Sequence, residues 1–294
     1  EFGVEVRMLD RGWIVGKVVR HRRWDIVAET LQFELTSKVV STPGSLDAGR
    51  LRDLEALDKK IEVASASAIT LELVEVSLQS ALLARGLDRP RHEVDGRFDR
   101  AERLARITGS RQRQRILYQK AWTALWWFND PDEAARIYDL LAPEVLPSDW
   151  IWDIDDLVNL WFALQTGKAP DETRTSALRD ALLRHANDNS KETSSLWAQT
   201  QLLQMDLVAA MRAKRDLQPS LAAMRQIFGK VRRQIEFPIE PVVRIVRELA
   251  KFIGDSPGYD ELLDAVIEIE RERNGDRAAG ELRLQRGLQK LERK

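Results

Sequence analysis

Three aspartates near the middle of the chain form the pattern most suggestive of chemistry. Asp149, Asp153 and Asp156 are spaced i, i+4 and i+7, so a helix over residues 150–165 would carry them on one face. Such a face could hold a divalent cation, which prefers several oxygen ligands, or contact a basic peptide. The start of a helix also favours carboxylates without any ligand. A solvated helix face, a partner contact and a metal site therefore stay open, and the first is favoured.

Basic residues form two further clusters. Arg111, Arg113 and Arg115 open a predicted helix upstream of the aspartates. The other cluster, beside Trp13 and Trp24, comprises Lys17, Arg20, His21, Arg22 and Arg23. Basic residues interleaved with aromatic rings can bind nucleic acid through phosphate contacts and base stacking. Because the formal net charge is −1 and acids lie nearby, nucleic-acid binding through Arg111 and Arg115 is kept as the alternative function.

The chain has nine tryptophans. Helical spacing places Trp122 with Trp126, and Trp150 with Trp161, on apolar stripes that we expect to pack between helices. Trp127 and Trp152 fall off those stripes. We therefore predict that these two side chains are exposed anchors for a partner, because tryptophan is enriched at binding hot spots.

Motifs of common enzyme classes are missing from the sequence. Gly16-Lys17-Val18 and Gly167-Lys168-Ala169 lack the preceding glycine and the following Ser or Thr of a phosphate-binding loop. Neither a G-x-S-x-G nor an H-E-x-x-H motif occurs, and the absence of cysteine excludes thiolate chemistry. We therefore predict no catalytic residue, no cofactor and no metal. An all-α enzyme using carboxylates is the least favoured reading.

Apolar residues recur every three or four positions along most of the chain, which predicts helices. A first helix is expected over 24–39, ended by Ser41-Thr42-Pro43-Gly44. A longer pattern over 51–82 is expected to break between Val63 and Thr70, and a polar loop is expected over 86–96. From residue 97 the helices become shorter and regular. We therefore expect an N-terminal long-helix region over 1–90 and helical hairpins over 91–294.

One hairpin, over 111–147, resembles the tetratricopeptide-repeat family. Its first helix carries Tyr118 and Leu125 at positions where the family has large residues, and Asn129-Asp130-Pro131 forms the turn. Ala134 and Tyr138 match the second helix, which stops before Pro147. Trp122 departs from the pattern because the family places a small residue there. The resemblance implies stacked antiparallel hairpins in a right-handed superhelix that contacts other proteins.

Together these features predict an all-α protein. With 44% hydrophobic and 32% charged residues and no apolar run of about 18, a folded chain without membrane spans is expected. We expect a non-catalytic interaction or sensor module of a larger cytoplasmic bacterial protein. Its partner would be a protein, a peptide or another domain of the same parent. The predicted partner-binding residues are Arg111, Arg115, Trp127, Asp149, Trp152, Asp153 and Asp156.

Overall fold

The computed structural model describes residues 5–9, 12–16, 45–65, 69–165, 171–188, 190–254, 256 and 258–292. Contacts divide the chain into two units, Glu1–Arg97 and Phe98–Lys294. The division falls inside a helix, whereas the sequence suggested a boundary after residue 90. The two units are described separately below.

The first unit begins with two short strands, β1 (Glu5–Leu9) and β2 (Gly12–Gly16), which pair antiparallel with Met8 opposite Trp13. Two packed helices follow, α1 (Ser45–Ser65) and α2 (Leu71–Gly86). The predicted break between residues 63 and 70 is confirmed. Thr70 caps α2, since its hydroxyl accepts the Leu73 N–H at 3.2 Å. The predicted helix over 24–39 and the basic cluster over 17–23 lie outside the described residues.

The predicted loop over 86–96 is wrong in its second half. Helix α3 (Arg91–Thr108) already begins after Pro90. Ion pairs one turn apart stabilise this early start, because Glu93 accepts hydrogen bonds from Arg89 at 2.9 Å and from Arg97 at 3.0 Å. The composition of this stretch is polar because it forms a charged helix surface rather than a loop.

The second unit consists of helices throughout its described part, which confirms the predicted all-α class. After the end of α3 they are α4 (Ser110–Trp126), α5 (Pro131–Val145), α6 (Ile151–Gln165), α7 (Glu172–Ala186), α8 (Glu192–Arg212), α9 (Gln218–Arg233), α10 (Glu240–Ile253), α11 (Tyr259–Asn274) and α12 (Asp276–Glu292). None of the helices in the described ranges is long and apolar enough to cross a membrane.

The hairpin of α4 and α5 has the predicted turn. Asn129 adopts a positive φ of 47°, and the Asp130 carboxylate accepts the Glu133 N–H at 3.0 Å. Pro131 opens α5, where a missing N–H costs nothing. Helix α4 has no side-chain cap at its start. Gly109 occupies the cap position without a side-chain hydrogen bond, and Ser110 is the first helical residue.

Trp122 does not prevent close packing of α4 against α5. Small residues fill the buried side of the pair, where Ala121, Ala124 and Ala134 are almost completely inaccessible to solvent. The Trp122 ring instead lies along its own helix, with its centroid 5.8 Å from the Tyr118 ring and 5.7 Å from the Trp126 ring. The departure from the family pattern is therefore accommodated within α4.

Helices α6 and α8 run parallel. Near their starts, the Trp152 and Trp197 rings meet edge to face with centroids 5.7 Å apart. Near their ends, Arg212 donates a hydrogen bond to the Gln165 carbonyl. Helices α4 and α6 also pack against each other, and Arg111 in the first turn of α4 pairs with Asp153 in the first turn of α6. Helices α4, α6 and α8 therefore form one row.

Helices α5 and α7 form a second row. Arg174, at the start of α7, donates two hydrogen bonds of 2.7 Å to Asp139 of α5. Arg184, near the end of α7, donates to the Leu146 carbonyl at the end of α5 at 2.6 Å. Successive helices thus alternate between two rows of parallel helices.

The C-terminal helices depart from this alternation. Helix α11 packs against α9, α10 and α12. The buried Tyr259 hydroxyl ties α11 to α10 by donating to the Val246 carbonyl at 2.9 Å. Helices α11 and α12 form a last hairpin at Asn274-Gly275, where Gly275 has a φ of +88°.

Candidate functional site

The first turns of α4 and α6 meet at one end of the second unit and enclose a small cleft of about 140 Å³. Five of the seven residues that the sequence singled out line this cleft. They are Arg111, Arg115, Trp152, Asp153 and Asp156. Arg111 Nε lies 3.5 Å from Asp153 Oδ1, so an ion pair joins the two helices at the cleft.

Trp150 lies beside this cleft and is 51% exposed. The Arg111 guanidinium is 6.0 Å from the centroid of its ring, and the Arg111 side chain is itself 67% exposed. The prediction that Trp150 belongs to a buried stripe is wrong, because α6 begins at Ile151 and helical spacing does not apply before it. For the same reason Asp149 does not share a helix face with Asp153; it is exposed in the preceding loop.

Hydrogen bonds hold the loop that carries Trp150. The Ser148 hydroxyl donates to Asp153 Oδ2 at 2.7 Å and accepts the Trp150 N–H at 3.1 Å. From the α7–α8 side, a ring nitrogen of the buried His185 lies 3.0 Å from the Ser148 carbonyl, and Lys191 donates to the Asp149 carbonyl at 3.4 Å. The Trp150 ring is therefore presented from a fixed backbone.

The two tryptophans predicted to be exposed anchors are half-buried. Trp152 packs edge-on against Trp197, which is completely buried, so it contributes to the interior. Trp127 caps the far end of α4, where its N–H donates to the Thr123 carbonyl at 3.0 Å. At 1.5 Å per residue, Trp127 is roughly 24 Å along α4 from Arg111. The structure thus does not bring Trp127 together with the other predicted residues.

Asp156 has an unusual environment for a carboxylate. Burial, reinforced by the neighbouring Asp155, raises its pKa to about 7, although Arg244 and Arg115 oppose the shift. Part of the side chain still faces the cleft. The charge of the cleft therefore changes near neutral pH.

The cluster of Arg111, Arg113 and Arg115 at the start of α4 does not form one continuous basic surface. Arg113 is paired with Glu102 at 3.2 Å and also with Glu144, and only 16% of its side chain is exposed. The positive charge of Arg113 is therefore balanced by carboxylates of the same chain. Of these three arginines, Arg111 and Arg115 are the exposed ones.

A second, larger cleft of about 580 Å³ lies between α5, the end of α6 and the start of α7. Trp161 and Leu164 contribute apolar surface, and Arg174 bridges Asp139 and Asp171 at its rim. No pattern in the sequence indicates this cleft, because it depends on pairs such as Arg174–Asp139, which are 35 positions apart. The neighbouring residues 166–170 lie outside the described part of the chain.

Within the described ranges, no group of three or more His, Asp or Glu side chains is arranged to hold a metal ion. Comparison with models of protein families, with curated proteins and with solved structures finds no match for this chain.

Proposed function

We propose that this chain is a non-catalytic protein-interaction module that docks a peptide segment of a partner protein, or of another domain of its parent, where α4 and α6 begin. The observation that carries the proposal is the exposed Trp150 ring stacked by Arg111 beside the cleft. We call this area the Trp150 surface: Trp150, Arg111 and the cleft residues Arg115, Asp153 and Asp156. Large exposed aromatic rings next to arginine are typical of binding hot spots.

The chemistry of the Trp150 surface suits a peptide with an apolar side chain next to a carboxylate. The exposed ring face of Trp150 would take the apolar side chain. The Arg111 guanidinium directs only its Nε at Asp153, so its other N–H groups would bind the single carboxylate of the peptide. The α4 and α6 N-termini lie at the same end, and their dipoles favour a negatively charged ligand.

The size of the cleft favours this reading over an enzyme active site. Pockets that enclose a whole small molecule usually measure about 300 Å³ or more. A cleft of about 140 Å³ suits a single side chain of a longer ligand. An enzyme active site could also contain a carboxyl with a raised pKa such as that of Asp156, but burial and the neighbouring Asp155 account for this shift without any catalytic role.

The fixed backbone around Trp150 supports docking without rearrangement. Hydrogen bonds that involve Ser148, His185 and Lys191 fix the loop that carries Trp150. Ordering this loop on binding would therefore cost little conformational entropy.

The alternation of α4 to α8 between two rows supports the stacked hairpins that the tetratricopeptide-repeat resemblance implies. The right-handed superhelix is part of the proposal.

Nucleic-acid binding is the weaker alternative. Arg111 and Trp150 could stack on a base and contact phosphate. Against this, Arg113 is neutralised by two glutamates, and the ion pair to Asp153 weakens the charge of Arg111. Tight binding to a phosphate backbone requires several cations that are not already paired.

Selection from a random peptide library displayed on phage tests the proposal. Peptides selected on the wild-type protein should bind Trp150→Ala at least tenfold more weakly, as expected for loss of a hot-spot tryptophan. Trp126→Ala is the matched control. The prediction that Trp126 packs between helices is wrong, since it is 41% exposed, and it lies at the other end of α4. Peptides that bind both variants equally well would refute the Trp150 surface as the docking site.

A further inference from the structure

Helix α12 presents three leucines to the solvent. Leu284, Leu288 and Leu291 are 65%, 52% and 68% exposed, and we call them the leucine row. Their spacing of four and three residues places them on one face of the helix. Ala279 and Leu282, by contrast, are nearly inaccessible to solvent. The leucine row is therefore an apolar face in addition to the one that α12 buries.

The packing of α12 on α11 sets the direction of the leucine row. Arg286 donates to Asp264 Oδ1 of α11 at 2.7 Å. Lys290 donates to Asp260 Oδ2 of the same helix at 2.8 Å. Arg286 lies about 200° around α12 from Leu284, so the leucine row points away from α11. Contiguous exposed apolar surface on the order of a few hundred Å² is typical of an interaction site.

Two glycines flank the leucine row on one side. They are Gly280 and Gly287, one residue on either side of the helical turn that carries Leu284. Among the described residues, no atom lies within 4 Å of the place that an added Cβ would occupy at either glycine. Glycine within a helix is less stable than alanine, so packing inside the chain does not explain these two. Their open surface lets a side chain or helix from outside approach the backbone closely.

A second copy of α12 in antiparallel orientation fits this face in shape. A two-fold axis at Leu284 brings the Leu284 side chains of the two copies together. Leu288 and Gly280 each lie four residues, about 6 Å, from Leu284 along the helix, in opposite directions. Each Leu288 therefore lies opposite Gly280 of the other copy, where a large side chain meets the space that glycine leaves.

The charges on this face favour the antiparallel orientation over the parallel one. Arg277 and Glu281 continue the face of the leucine row toward the helix start, and both are more than half exposed. A parallel pair would place each of these charges against its own copy, which repulsion disfavours. In the antiparallel pair Glu281 lies opposite Gly287, and the aliphatic part of Arg277 lies opposite Leu291.

We propose that α12 is a homodimerisation helix, through which two copies of this chain associate antiparallel about a two-fold axis at Leu284. Such self-complementary contacts are the commonest basis of homodimers. A helix of about 25 Å covers less than the roughly 800 Å² per partner of a stable complex, so the dimer should dissociate on dilution. The dimer goes beyond the proposed function and does not involve the Trp150 surface.

Disulfide trapping tests the proposed register. The chain has no cysteine, so Leu284→Cys and Leu291→Cys each introduce a single exposed thiol. In the proposed dimer the two thiols at position 284 face each other, whereas the two at position 291 are roughly 21 Å apart along the helices. Mild oxidation of concentrated protein should therefore link Leu284→Cys into dimers at least about tenfold faster than Leu291→Cys.

Sedimentation equilibrium tests the association itself. The mass of the wild-type chain should rise with concentration from that of one copy toward that of two. Leu288→Glu should keep the chain monomeric at the same concentrations, because it places a charge in the contact. Ile107→Glu is the matched control, since Ile107 is 70% exposed on α3, and this variant should associate like the wild type. Circular dichroism should show equal helix content in the variants, because the substituted side chains are exposed.

Three results would overturn the proposal. A wild-type chain that stays monomeric at every concentration would show that copies do not meet through α12. Equally fast trapping at positions 284 and 291 would exclude the antiparallel register. Association lost in Ile107→Glu as well as in Leu288→Glu would show that it does not depend on the leucine row. If Leu288→Glu fails to fold, the ratio of trapping rates at positions 284 and 291 decides alone.

Discussion

The Arg111 guanidinium lies 6.0 Å from the centre of the Trp150 ring, although the two residues belong to different helical hairpins and are 39 positions apart. Both side chains are more than half exposed. A cation–π contact at such a site contributes only about 0.5–1 kcal/mol to stability. Its consequence is to orient a large aromatic surface toward the solvent, which suits binding rather than folding.

Substitution of the two neighbouring tryptophans should separate binding from stability. Trp150→Ala should lower the free energy of unfolding by no more than about 1 kcal/mol, because the ring is half exposed and its cation–π contact with Arg111 is weak. Trp152→Ala should lower it by about 2–3 kcal/mol because the ring packs on the buried Trp197. Urea unfolding of both variants measures the difference. Equal losses would mean that Trp150 belongs to the core.

Stability should decrease as the pH rises through the titration of Asp156. Its pKa is about 7 in the folded protein against 3.8 ordinarily, so only the folded chain holds this proton between about pH 4 and pH 7. This contribution is complete below pH 4 and lost by about pH 7, at up to about 1.4 kcal/mol per pH unit.

Asp156→Asn removes this pH dependence. Urea unfolding of the wild type and the variant at pH 5, 6, 7 and 8 should show the wild type losing stability relative to the variant until about pH 7. The comparison cancels other groups such as Glu270, whose pKa is also raised by burial. Parallel curves for the two proteins would refute the assigned environment of Asp156.

Loss of the cap at the α4–α5 turn should destabilise the hairpin moderately. Asp130→Ala removes the acceptor for the Glu133 N–H and should cost about 1 kcal/mol of unfolding free energy. Asp132→Ala, in the first turn of the same helix, is the control for the loss of a negative charge near the N-terminus. The cap assignment fails if the two variants lose the same stability.

Binding to single-stranded DNA should be weak and should not depend on Arg113. Fluorescence anisotropy with a labelled oligonucleotide at low salt measures it directly. A strong signal that decreases steeply with salt and is abolished in Arg111→Ala and Arg115→Ala would favour the nucleic-acid alternative over peptide docking.

Local signals in the sequence were sufficient for most of the fold. Apolar spacing located the helices, and Asn129-Asp130-Pro131 located the hairpin turn because each residue there meets a specific backbone requirement. Helix starts were less predictable. Trp150 was misplaced, since a shift of one residue at a helix boundary decides whether a side chain belongs to the buried stripe or is exposed.

The candidate site was predictable in its composition but not in its geometry. Charge and aromatic content singled out Arg111, Arg115, Asp153 and Asp156, which the structure brings together. The Arg244–Asp155 pair and the large cleft at Arg174 were not foreseen, because pairing between residues 89 and 35 positions apart leaves no periodic trace in one sequence.

Hydrogen exchange of the protein with and without a selected peptide tests whether the Trp150 surface is the docking site. We expect the peptide to slow exchange in the segments 110–115 and 148–156, which carry the Trp150 surface, and Trp150→Ala to abolish this protection. Protection confined to 131–139 and 171–174 would instead place the partner in the larger cleft and refute docking at the Trp150 surface.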